Sequence, residues 1–382
     1  MMKTNSGIYI HIPFCRQKCL YCDFYSKACD DAELRRAYTD ALLGEIAHYG
    51  KKYGKEFKAD TIFFGGGTPS LMEPSHIDRI IRALRENFDV AADSEITMEC
   101  NPATLTEEKL AGYKAAGVNR LSIGSQSFDD EVLAALGRIH RASDIEETVQ
   151  AARKAGFDNI SLDLMFAVPK QGMTKWQASL EKALAIRPEH LSFYSLEIAE
   201  GTPFGKMHEA GTLEETPIEE DRRMYTFALE QIEAAGYNHY EISNAALPGR
   251  EARHNLKYWN LSDYLGLGPS AHSYIKGERH SNSADLSGYI EAGGVGCIAE
   301  SYINDLEDDM AEYTFTALRT REGVSLKFFR ERFGKEFWQV YEDARKEFDS
   351  FVQGGYAAED EKHIALTRKG IDISNKIMAL FV

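Results

Sequence analysis

Six short runs of apolar, often β-branched residues recur along the first half of the chain, each followed by a longer amphipathic stretch. The runs lie at 8–12, 61–64, 95–100, 120–123, 159–166 and 191–196. Their apolar character is continuous rather than alternating, as in strands covered on both faces of a parallel sheet. The stretches between them, at 32–49, 75–87, 106–116, 129–136, 143–155 and 174–185, read as helices. Thr106-Glu107-Glu108 and Ser143-Asp144 look like helix starts, and Gly117 and Gly156 stand where helices end. Strands and helices in alternation predict an α/β fold with right-handed crossovers. An open or closed barrel follows, with its chemistry at the C-terminal ends of the strands.

The rhythm changes after about residue 200. A helix is expected over 218–235 and a strand over 237–243. Residues 262–284 are rich in Gly, Ser and Tyr and read as loops and a hairpin. From about residue 308 the pattern is helical at 309–320, 326–332 and 337–353. A hairpin at 356–366 and a last helix from Thr367 follow, which predicts a small helical, winged-helix-like domain. The expected division is a barrel at 1–240, a linker and loops extending the core at 241–305, and a C-terminal domain at 306–382. A chain of 382 residues is long enough for these pieces.

Charge narrows the partners. Lys+Arg total 44 against 60 Asp+Glu, a net charge of −16, so the chain is not built as a general nucleic-acid binder. Residues 311–382 carry 12 basic and 12 acidic side chains, so the C-terminal domain has no basic stripe for reading DNA. No apolar run approaches the roughly 20 residues that span a bilayer. The polar start at residues 1–6 does not read as a signal peptide, so the expected compartment is the reducing cytoplasm.

The cysteines are unevenly spread. Cys15, Cys19 and Cys22 fall within eight residues after the first strand, whereas Cys29, Cys100 and Cys297 are dispersed and read as small buried residues. C-x3-C-x2-C suits an iron–sulfur cluster. Three local thiolates leave one iron of a cube free for another chelator. A zinc site completed by His11 or Cys29 is the alternative, but zinc sites usually pair two C-x2-C units and no second pair exists.

Further candidates end the later strands. Gly65-Gly66-Gly67-Thr68-Pro69 is either a plain tight turn or a close-approach loop. Glu99-Cys100-Asn101-Pro102 places a carboxylate at the end of the third strand, and Gly124-Ser125-Gln126-Ser127-Phe128 ends the fourth. Asp163 sits among Leu162, Leu164 and Met165, where a carboxylate is costly unless paired.

In this order the motifs resemble the radical S-adenosylmethionine (SAM) superfamily. Tyr9-Ile10-His11-Ile12-Pro13-Phe14-Cys15 is similar to the branch of oxygen-independent coproporphyrinogen III oxidases and their relatives. The resemblance implies a partial (β/α)6 barrel of the TIM type. It implies a [4Fe–4S] cluster on Cys15, Cys19 and Cys22. It also implies SAM near Tyr9, Tyr21, Phe24, Gly66, Gly67, Thr68, Glu99, Gln126, Arg138 and Asp163. Ala167-Val168-Pro169-Lys170-Gln171 stands where that family more often has Gly-Leu-Pro-Gly-Gln. The oxidases continue to C-x3-C-x2-C-x-C, and here Phe24 occupies the place of the last cysteine. Only 14 residues precede Cys15, where the oxidases have a longer extension.

His254-Asn255-Leu256-Lys257-Tyr258-Trp259 matches the H-N-x-x-Y-W of the HemW branch, the haem chaperones of this superfamily. That resemblance implies haem as cargo, with His254 or His272 as ligand and Tyr258 and Trp259 as an apolar wall. A structural loop, with His254 hydrogen-bonded and Trp259 packed, is the alternative. Implied partners are haem-receiving respiratory proteins and an electron donor such as flavodoxin. Membrane contact would be peripheral and through partners, and a homodimer is compatible with the family. The rival activity is oxygen-independent coproporphyrinogen III dehydrogenation by a 5′-deoxyadenosyl radical.

Overall fold

A computed structural model describes residues 5–382. The start expected at residues 1–4 lies outside the described residues. Six parallel strands stand side by side in chain order. They are β1 (Ser6–Ile12), β2 (Lys58–Gly66), β3 (Asp89–Cys100), β4 (Arg120–Gln126), β5 (Ile160–Phe166) and β6 (His190–Ser195). Between them run α1 (Ala32–Tyr53), α2 (Pro74–Asn87), α3 (Glu107–Ala116), α4 (Asp130–Ala135), α5 (Ala142–Lys154) and α6 (Gly172–Ile186).

Each helix forms for local reasons. Asp31 caps α1 through the amides of Glu33 and Leu34, and Thr106 caps α3 through Lys109. Gly117 ends α3 in the left-handed region at φ 110°, as its position predicts. On α2 the stripe Ile77, Ile80, Ile81 and Leu84 is buried against the sheet.

The strands are two-faced in an informative way. On β4, Leu121 and Ile123 join the core beneath the helices, while Arg120, Ser122, Gly124 and Gln126 line the interior of the barrel. That is the period of two of a strand. The inner face is polar, so the barrel encloses a binding space rather than a second apolar core.

After β6 come α7 (Pro203–Glu209) and α8 (Ile218–Ala234). The single strand expected at 237–243 is instead a tight antiparallel pair, β7 (Asn238–Glu241) and β8 (Asn244–Ala246), with β8 running antiparallel to β6. The segment expected as linker and loops adds strands to the same sheet, the hairpin expected within 262–284 among them. After α9 (Arg253–Trp259), β9 (Tyr264–Leu267) pairs in parallel with β1. β10 (His272–Ile275), β11 (Glu278–Asn282) and, after α10 (Leu286–Glu291), β12 (Ile298–Ile303) extend it antiparallel. The sheet order is β12-β11-β10-β9-β1-β2-β3-β4-β5-β6-β8-β7, and among the described residues its two edges do not pair. The fold is α/β, an open partial barrel.

A helical domain completes the chain. It holds α11 (Leu306–Ala317), β13 (Val324–Ser325), α12 (Leu326–Phe333), α13 (Phe337–Val340), α14 (Arg345–Gln353), β14 (Ala357–Glu359) and β15 (His363–Leu366). Its strands pair in the order β13-β15-β14. The helix expected over 337–353 is broken. Tyr341 leaves the helical region at φ −109°, ψ 38°, and its ring packs on Phe337 and Phe381. Among the described residues no helix is long and apolar enough to cross a membrane.

Candidate functional site

A cavity of about 520 Å³ runs from the C-terminal ends of the strands down into the barrel. At its mouth lies the loop that carries Cys15, Cys19 and Cys22, and all three thiols are free and line the cavity. The loop is tied down by its backbone. Leu20 N donates to Leu136 O at 3.1 Å and Phe204 N to Leu20 O at 3.0 Å.

The glycine run at the end of β2 is stitched beneath this loop. Gly67 N donates to Ile12 O at 2.8 Å and Thr68 N to Phe14 O at 2.7 Å. A Cβ on Gly67 would lie 2.6 Å from Phe14 O, and one on Gly66, at φ 104°, would lie 2.6 Å from the His11 ring. Both positions therefore demand glycine, because the chain's own backbone and the His11 ring pack against them.

Two side chains meet the sulfurs. The Thr68 hydroxyl donates to Cys15 Sγ at 3.5 Å, and Arg138 Nη1 to Cys19 Sγ at 3.5 Å. Burial pushes the Cys22 thiol up to about 11, helped by the charges of Cys19 and Cys15. A cationic centre beside Cys22 would offset that cost and favour its thiolate. Among the described residues no group of three His, Cys, Asp or Glu side chains is arranged to hold a single metal ion.

Below the thiols the carboxylates face one another. Gly66 N donates to Glu99 Oε2 at 3.2 Å. Burial, then the charge of Asp163, raises Glu99 to about 8. Burial also raises Asp163, although Ser122 Oγ donates to both its oxygens at 3.0 and 3.1 Å and Ser161 Oγ to one at 3.3 Å. Such a pair is suited to hydroxyl or ammonium groups. Gln126 adopts φ 60° at a bulge in β4, and its Oε1 accepts from the Tyr194 hydroxyl at 3.2 Å. Tyr21, Phe24, Gly66, Gly67 and Thr68 share the same cavity wall. Phe24 is 64% exposed, an aromatic ring left at the open rim. Tyr9 does not reach the cavity; its ring stacks on Phe63, which does.

The H-N-x-x-Y-W segment lies at the end of the cavity away from the thiols, with Asn255 on its wall. It forms α9, which closes the barrel at the N-terminal ends of the strands. The backbone amides of Arg253 and His254 donate to the Glu95 carboxylate at 3.2 and 3.1 Å. Lys257 pairs with Asp60 at 2.6 Å and donates to Asn5 O at 2.7 Å. His254 is 1% exposed, with Nδ1 bonded to the Thr61 hydroxyl at 2.8 Å and Nε2 to the Tyr258 hydroxyl at 2.9 Å. Burial, then the charge of Lys257, lowers it to about 3.

The four residues expected at haem stand as follows in the ligand-free chain. His254 has no free ring nitrogen, and Tyr258 is its partner. Trp259 turns away to lie under the Arg319 guanidinium at 4.5 Å. His272 is exposed on β10 and does not line the cavity. Sequence reasoning missed Arg120, Ser192, Asn244 and Asn255, which line the lower cavity. For Arg120 there was a signal: a charged residue at the head of an apolar run.

Comparison with known proteins fits this geometry. The Radical SAM superfamily model matches residues 9–183, and the HemN C-terminal domain model matches residues 304–373. The chain is 36% identical to the haem chaperone HemW of Bacillus subtilis, over 98% of this chain and 98% of that protein. The chain belongs to the HemW family. The HemW of Escherichia coli is 34% identical over 98% of each chain. This HemW-family chain shares its fold with a solved oxidase: the coproporphyrinogen III oxidase HemN of Escherichia coli superimposes on it with a TM-score of 0.86, covering 99% of this chain and 90% of its own, at 24% identity. Through the radical SAM superfamily, HemW membership implies a [4Fe–4S] cluster and SAM.

Proposed function

We propose that the protein binds haem and hands it to haem-requiring proteins, with a [4Fe–4S] cluster and SAM held at the barrel mouth. The similarity to haem chaperones along almost the whole chain carries this reading. Phe24 supports it, because the rival oxidases resemble C-x3-C-x2-C-x-C at that position.

Cys15, Cys19 and Cys22 would hold three irons of the cluster, and Glu99, Gln126, Arg138 and Asp163 would orient SAM. Bound together, the two groups supply one-electron chemistry at the SAM sulfonium. The protein's own part is electrostatic. Thr68 donates to the Cys15 sulfur and Arg138 to the Cys19 sulfur. Glu99 and Asp163 would accept hydroxyl or ammonium donors, and the glycine backbone at 66–67 lines the cavity beside them. Haem-receiving respiratory proteins and an electron donor such as flavodoxin are the partners this reading requires, in the cytoplasm or at the membrane through those partners.

The experiment is an anaerobic titration. The full chain is reconstituted with iron and sulfide, haem is added while the visible spectrum is recorded, and coproporphyrinogen turnover is measured on the same sample. Saturable one-to-one haem binding without turnover is expected. Turnover to protoporphyrinogen without stable haem binding replaces this reading with the dehydrogenase.

A further inference from the structure

The lower half of the cavity holds a cation that the barrel mouth does not use. Arg120 starts β4, six residues before Gln126, so its backbone lies roughly 20 Å below the mouth. Its side chain is 2% exposed and lines the cavity. Its Nε is buried with no hydrogen-bond partner. Thr97 is its register neighbour on β3, and the Thr97 hydroxyl is likewise buried and unpartnered. Asn244 Oδ1, on the cavity wall, is a third orphan. Asn255, from α9, closes the space from below.

A buried guanidinium is expensive unless it is paired. The carboxylate that feels its charge, Asp163, directs its hydrogen bonds to Ser122 and Ser161 instead. The neighbouring histidines are not anionic partners either. His190 bonds Ser161 at 2.8 Å and Tyr240 at 2.8 Å, and His254 bonds Thr61 and Tyr258. What is left is a guanidinium on the cavity wall with an unpartnered Nε, an unpartnered hydroxyl on its register neighbour Thr97, and the Asn255 amide at the same end of the open space. A guanidinium fork fits the two oxygens of a carboxylate.

We propose that the barrel floor is a carboxylate subsite, in which Arg120, with Thr97 and Asn255, takes an acidic arm of a molecule entering from the mouth. The proposal uses the haem reading only for the identity of the arm's bearer, a propionate of a tetrapyrrole; a free small dicarboxylate presents the same group. It also gives the H-N-x-x-Y-W helix a place in recognition. His254 and Tyr258 hold α9 in position, and Asn255 faces the ligand.

The test uses the full-length reconstituted protein, with haem, haem dimethyl ester and succinate as probes. Wild type is expected to bind haem about ten-fold or more tightly than the ester, the discrimination one charge-assisted hydrogen bond gives. Arg120→Gln should bind both alike, at the affinity of the ester, and Arg120→Lys should recover part of the difference. Equal binding of acid and ester by wild type, or an undiminished preference in Arg120→Gln, overturns the proposal. If wild type binds neither tetrapyrrole, the haem reading fails on its own and succinate decides. A thermal shift in wild type that Arg120→Gln loses supports a small-carboxylate subsite; no shift in wild type overturns it. If Arg120→Gln does not fold, the acid–ester comparison in wild type and Arg120→Lys decides alone.

Discussion

Arg138 joins the cluster loop to the end of β4: its Nη1 lies 3.5 Å from Cys19 Sγ while its Nη2 donates to Gly124 O at 2.6 Å. The guanidinium thus places a positive charge and a donor on one sulfur, which favours the reduced cluster. Arg138→Met should still assemble a cluster. Its midpoint potential should fall by up to about 65–130 mV, the one-electron equivalent of one charged hydrogen bond of about 1.5–3 kcal/mol. Spectroelectrochemical titration of the reconstituted protein measures this. An unchanged potential means that the contact does not act on the cluster.

Glu99 sets a pH dependence of stability in the ligand-free chain. Its folded pKa is about 8, above the ordinary 4.5, because of burial and then Asp163. A raised carboxyl favours the fold as the neutral acid. The contribution is complete below the ordinary value and is lost as pH climbs through about 8. Glu99→Gln removes that titration, so its melting temperature should vary less between pH 5 and 9. The difference should amount to roughly 3–5 kcal/mol, at about 1.4 kcal/mol per pH unit. Parallel pH profiles for the two proteins count against Glu99 as the titrating group.

His254 is placed as a strut, and a strut acts without ligand. His254→Ala strands the Thr61 and Tyr258 hydroxyls and opens a cavity, so the apo protein should lose about 2–4 kcal/mol. The lowered pKa of His254 adds a second signature. The neutral ring stabilises the fold fully above its ordinary 6.5, and the contribution is lost as pH falls toward about 3. Denaturant unfolding of the haem-free chain at pH 5 and pH 7.5 tests both. If the variant changes only the haem spectrum and leaves apo stability intact, His254 is a ligand and not a strut.

The loop after β5 keeps a glycine shape without glycines. Ala167 and Lys170 stand at φ 57° and 67°, at the two positions where the resembling family more often carries Gly. A left-handed backbone costs a non-glycine residue roughly 1 kcal/mol. Lys170 is exposed, so Lys170→Gly leaves no void and should stabilise the chain by about 0.5–1 kcal/mol, read as a raised melting temperature. A loss of stability means that the loop changes shape with the residue.

What was legible in the sequence was local. β1 to β6 and their helices follow from runs of ten or so residues, and consecutive strands simply pair in order. The three loop cysteines and the glycines at 66–67 stand out in the sequence because their spacing is itself the signal, and the structure sets both along one cavity wall. Pairings across long stretches of chain were not legible. β9 joins β1 from more than 250 residues away, and nothing within 264–267 announces that partner. The H-N-x-x-Y-W helix shows a related gap: its residues are plain in the sequence, yet which end of the barrel it closes depends on Glu95, Thr61 and Asp60, far away on other strands. Arg120 was passed over because a basic residue at a strand start reads as a surface terminus.

The plug at the barrel floor is also gripped from outside. Thr316, on α11 of the C-terminal domain, donates its hydroxyl to Trp259 O at 3.2 Å, and Arg319 lies on the Trp259 ring. One helix is therefore a wall of the inner chamber through Asn255 and a keystone of the next domain through Trp259. The two family segments meet in that single turn of chain. Cutting the protein between them would not release a barrel with an appendage removed; it would unseat the bottom of the chamber, and any body that pulls on α11 pulls on the chamber as well.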